Sequence, residues 1–90
     1  MKSNEVYRVS EGTRIREEEF GLLLVSKTTP ALALNDDMKA VWDLIDGENT
    51  CEQIVSAVKA QYPGSNVEFK IAEIFDILVK IGLIQLVKEV

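Results

Sequence analysis

The segment Pro30-Ala31-Leu32-Ala33-Leu34-Asn35-Asp36 divides the chain into two kinds of sequence. Before it, apolar residues come in short runs or alternate with polar ones, as in strands. After it they recur three and four residues apart, as on one face of a helix. Pro30 has no amide donor, so Ala31–Leu34 suits a strand start or a sheet edge and not a sheet centre. Asn35 and Asp36 are residue types that cap helix starts. This order specifies an α+β chain of winged helix-turn-helix-like form, a three-stranded antiparallel sheet followed by three helices.

The strand half reads in short steps. Residues 1–6 are a polar, frayed start, and Tyr7-Arg8-Val9 either adds a short strand or packs over the core. Ser10-Glu11-Gly12 is a turn signal. Thr13–Glu17 alternates like a half-exposed strand, and Glu18 and Glu19 mark a solvated bend closed by Phe20-Gly21. Leu22–Val25 is a continuous apolar run of strand length, and Ser26–Pro30 is a turn or hairpin loop. Ala31–Leu34 then returns as the third, edge strand.

In the helical half, Met38, Val41, Trp42 and Ile45 stripe a first helix that Asp46-Gly47 ends. Thr50 and Gln53 have the spacing of a capping box. Cys51, Ile54, Val55, Val58 and Tyr62 form the apolar face of a second helix, which Pro63–Asn66 breaks. The third helix runs over Val67–Ile81. Ile71, Phe75, Leu78 and Gly82 suffice for a core face, yet Val67, Lys70, Ile74, Ile77 and Ile81 make a second, adjacent one. That extra width either covers the C-terminal tail or lines a groove for a partner. Gly82 ends the helix, and Leu83–Val87 is a short apolar tail open to strand formation.

Ninety residues hold one core, so residues 1–90 are read as a single domain. With no histidine there is no histidine-based acid–base pair or metal site. Cys51 stands at a helix start, where the dipole favours a thiolate, but no basic residue lies near it in sequence, and it reads as a small buried apolar residue. Glu17-Glu18-Glu19 is a solvated turn, and Asn35-Asp36-Asp37 lacks the spacing of a calcium loop. Trp42, at helical spacing, reads as core. No catalytic residue, metal site or cofactor is expected, and the chain is read as a non-enzyme. A net charge of −5 opposes nucleic-acid and anionic-membrane binding. A DNA-reading third helix would carry Glu68, Glu73 and Asp76 against Lys70 and Lys80. No apolar run is long enough to span a bilayer. Without an apolar signal core in Met1–Glu5, the expected compartment is the cytoplasm.

Three stretches together resemble the PqqD-like family. Arg14-Ile15-Arg16-Glu17-Glu18-Glu19-Phe20-Gly21-Leu22-Leu23-Leu24 is similar to its first hairpin. Val41-Trp42-Asp43-Leu44-Ile45-Asp46-Gly47-Glu48-Asn49-Thr50, followed by Gln53-Ile54-Val55, is similar to its middle, and Leu78-Val79-Lys80-Ile81-Gly82-Leu83-Ile84 to its end. The match runs from about Tyr7 to Ile84, and its order and spacing carry more weight than any one stretch. Phe20-Gly21-Leu22-Leu23 also resembles the mycofactocin chaperone branch.

The resemblance implies a stand-alone recognition element for ribosomally made, modified peptides. Such a protein binds the leader of a precursor peptide and presents it to a modifying enzyme, often a radical S-adenosylmethionine maturase. The leader would lie between the third strand and the third helix, which assigns peptide binding to Leu32, Ala33, Leu34, Lys70, Ile74 and Ile77. Ala31 and Ala33 are smaller than the residues usual in that strand. The expected partners are a leader peptide and a maturase, with no nucleic acid and no membrane. The alternative is a winged-helix DNA-binding or regulatory module.

Overall fold

A computed structural model describes residues 1–27, 30–64 and 66–90. The strands are β1 (Glu5–Val9), β2 (Arg14–Glu18), β3 (Gly21–Val25) and β4 (Leu32–Leu34). The helices α1 (Asp36–Trp42), α2 (Cys51–Gln61) and α3 (Val67–Lys80) follow, and β5 (Ile84–Glu89) closes the chain. The expected Ser26–Pro30 loop includes Thr28 and Thr29, and the Pro63–Asn66 break includes Ser65; these three lie outside the described residues.

The expected meander is present as the antiparallel sheet β2-β3-β4, with three helices after it. β3 is central, and Leu22 and Leu24 enter the core. The turn at Glu19-Phe20 places Gly21 at φ +139°, a region that favours glycine, with its α-carbon pressed against β4. β2 departs from expectation: Ile15 is 49% exposed, so the strand lies open on both faces instead of burying one.

Residues 1–6 are not a frayed start. Val6 is fully buried, and β1 pairs antiparallel with β5 in a second, two-stranded sheet. Both were short candidate strands; their pairing joins segments at opposite ends of the chain. Tyr7 meets Phe75 edge-on, ring centroids 5.4 Å apart, and its carbonyl accepts from the Gly47 amide.

The first two helices start where their caps predict. The Asn35 side chain accepts from the Met38 amide at 2.9 Å. Thr50 and Gln53 exchange both bonds of the capping box, at 2.8 and 3.1 Å. α1 ends earlier than Asp46-Gly47, at Trp42 with Asp43 as cap. The reason is local: Asp46 turns its carboxylate back to accept from the Glu48 and Asn49 amides, which builds a tight turn that competes with helix. These bonds hold the Asp46 carboxyl below the usual carboxylate range, the Asn49 amide contributing most. Ile45 remains buried although it stands beyond the helix.

The core gathers Leu22, Leu24 and Leu34 from the sheet with Val41, Trp42, Ile54, Val58, Ile71, Phe75 and Leu78 from the helices. Val67, expected on the outer flank of α3, belongs to this core. Tyr62, expected on the apolar face of α2, is 38% exposed.

Candidate peptide-binding site

β4 is bonded to β3 on one side, and its other side is a sheet edge. Which groups line that edge follows from Gly21. A β-carbon there would strike the Leu34 carbonyl oxygen, so the Leu34 backbone faces β3. Leu34 pairs with Leu22, Ala33 with Leu23 and Leu32 with Leu24. Backbone groups alternate sides along a strand, so the amide and carbonyl of Ala33 face the open edge. An unpaired donor and acceptor on a sheet edge can template another strand.

The three β4 residues therefore differ in what they can offer. Leu34 is fully buried, so its side chain serves the core and not a ligand. Leu32 is half-buried against the core. Ala33 is exposed, and its methyl leaves room for an incoming backbone.

Immediately after β4 the chain enters a cleft of about 390 Å³ between α1 and α3. Asn35, Asp37, Met38 and Val41 line one wall. Lys70, Ile71, Glu73 and Ile74 line the other, with Val58, Tyr62 and Val67 between them. The floor is apolar and the mouth is charged, the composition usual for sites that bury one part of a ligand and orient another. Lys70 and Ile74 thus share this cleft with Asn35, the residue that follows β4. Ile77 lies one turn further along α3, outside the cleft and 46% exposed. It extends the apolar strip of Ile74 toward the half-buried Ile81.

The sequence reading missed Asp37, Tyr62 and Glu73 as part of this site. Glu73 stands three residues from Lys70, so its place on the same flank was available from helical spacing. Asp37 was masked by its role as an acidic first-turn residue, and Tyr62 by an apolar pattern that also suits a core.

Cys51 offers no competing chemistry. It is 1% exposed, and burial, followed by the negative charge of Glu5, pushes its thiol up to about 11. That opposes the thiolate a nucleophile needs. Among the described residues no group of three or more His, Cys, Asp or Glu is placed to hold a metal ion. No helix among them is long and apolar enough to cross a membrane.

The profile of the family described as "Coenzyme PQQ synthesis protein D (PqqD)" matches residues 21–84, from the start of β3 to the start of β5. No curated protein and no solved structure matches the chain.

Proposed function

This chain is a member of the PqqD family, and from that premise we propose that it is a non-catalytic peptide-binding protein of modified-peptide biosynthesis. Its ligand is the leader of a ribosomally made precursor. The leader adds a strand to the open edge of β4, exchanging hydrogen bonds with Ala33, while its side chains reach Ile74, Ile77 and Lys70 on α3. The bound precursor is then presented to a modifying enzyme of the radical S-adenosylmethionine class. The mycofactocin-type branch is one setting for that pair.

The observation that carries this reading is the continuity of β4 with the cleft. One short segment, Leu32–Asn35, supplies an unpaired backbone edge and then a wall of an apolar groove. Micromolar binding requires about 8 kcal/mol. A few main-chain bonds and two or three anchored side chains supply an energy of that order. Main-chain bonding gives affinity to any extended segment; the α3 flank and the cleft select among segments.

The winged-helix shape also suits DNA, but charge argues against it. Lys59 is engaged with Glu68, and the α3 acids outnumber its bases. Phosphate contacts need the opposite balance.

A proline scan through the precursor tests the reading. Each proline removes one ladder donor. Weakening at alternate positions of one short segment supports strand addition. A scan with no effect at any position refutes it.

A further inference from the structure

The charges at the mouth of the α1–α3 cleft are uncommitted, and their balance is negative. Asp37 stands on one wall, Lys70 and Glu73 on the other, all three exposed. Among the described residues none of the three is in an ion pair. Nearby bases are engaged elsewhere: Lys39 pairs with Glu17 and Lys59 with Glu68. The walls beneath the two acids are apolar, with Met38 on α1 and Ile74 on α3. An apolar trough under a negative rim matches one kind of side chain, a long aliphatic stem ending in a cation.

We propose that this cleft selects a lysine or arginine of the bound peptide. Its stem lies along Met38 and Ile74, and its charged head sits between Asp37 and Glu73. The inference rests on the peptide-binding reading above and names the ligand class within it: a segment carrying a basic residue just beyond the part paired with β4. Lys70 opposes that residue directly and favours an acidic neighbour. The protein's net charge of −5 acts in the same direction at longer range, drawing basic peptides toward it.

The test uses three acetylated, amidated dodecapeptides of serine and threonine with one leucine. They differ only in the residue beside the leucine: arginine, norleucine or glutamate. Amide shifts of the isotope-labelled full chain are followed at Asp37, Met38, Glu73 and Ile74. Two exposed charge pairs favour the arginine peptide over the norleucine peptide by roughly fivefold, and the glutamate peptide binds weakest. The preference falls in high salt. Asp37→Asn with Glu73→Gln removes it, whereas Lys70→Gln strengthens arginine binding. Equal affinities for the three guests, or no shift with millimolar arginine peptide, overturn the inference. The same spectra separate it from the reading beneath it. Shifts at Ala33 without guest preference refute only the charge selection. Guest preference with Ala33 unmoved refutes strand addition and leaves the cleft selection standing.

Discussion

Two residues of α3, two positions apart and therefore on opposite faces, should behave as opposites when substituted. Phe75 is 1% exposed and packs edge-on against Tyr7 at 5.4 Å. Phe75→Ala removes a buried ring and leaves a cavity, at a cost of about 3–5 kcal/mol. Loss of the aromatic pair contributes about 0.5–1.5 kcal/mol of that cost. For a chain of this length total stability is on the order of 5–13 kcal/mol, so this one change removes a large share of it. Ile77 is 46% exposed and lies outside the cleft. Ile77→Glu buries no charge and keeps a good helix former, so it should shift stability by less than about 1 kcal/mol. Urea unfolding followed by fluorescence of the buried Trp42 measures both. Peptide titration of the folded Ile77→Glu protein should show binding lost, because a carboxylate interrupts the apolar strip. A loss above about 2 kcal/mol for Ile77→Glu would place Ile77 in the core and refute the assignment of α3 faces. A mild Phe75→Ala would refute the packing described for Tyr7 and α3.

Alkaline pH should destabilise the fold. Burial, and then the charge of Glu5, raises the Cys51 thiol from 9.0 to about 11 and the Tyr7 phenol from 10.0 to about 12. Both groups hold their protons more tightly when folded, so their contribution is whole below pH 9 and is lost as pH rises toward about 12. Each shift corresponds to on the order of 2–3 kcal/mol; urea midpoints should fall from about pH 9 upward, and Cys51→Ala should blunt the first part of the fall. An unchanged profile in Cys51→Ala would contradict this. Gly21→Ala should loosen β4 from β3, since the new methyl meets the Leu34 carbonyl at a backbone angle few side chains adopt; faster amide exchange at Leu32 and Leu34 is the readout, and unchanged exchange would count against the register. DNA titrations by anisotropy at physiological salt should show no salt-sensitive complex; a specific micromolar one would restore the winged-helix alternative.

The parts of the fold legible in the sequence are those specified locally. Asn35 and Thr50 mark helix starts because their side chains bond amides three residues on, within the same short segment. The stripe Ile71, Phe75 and Leu78 identifies a core face because helical spacing is fixed. The first two departures have non-local causes. β1–β5 pairing joins the two ends of the chain, and neither strand announces its partner. Val67 and Ile74 have similar apolarity and neighbouring angles on α3, and only the packed structure shows which is covered. The end of α1 was misplaced because Asp46 acts as a turn builder while Ile45 continues the apolar pattern past the helix. At the site, a three-residue strand has too few alternations to show that Leu34 points inward and Ala33 outward. The cleft was invisible because its walls come from three separate helices.

The central claim is that a peptide extends the sheet at β4, and the amide of Ala33 tests it most directly. It faces the open edge, whereas those of Leu32 and Leu34 face β3. Residue-resolved hydrogen exchange with and without the precursor peptide therefore separates strand addition from general tightening. The account predicts that the peptide slows Ala33 strongly and Leu32 and Leu34 little, with β1 and β5 unchanged. Protection confined to β1, β2 or β5, or an Ala33 amide that exchanges as fast with peptide as without it, would contradict strand addition.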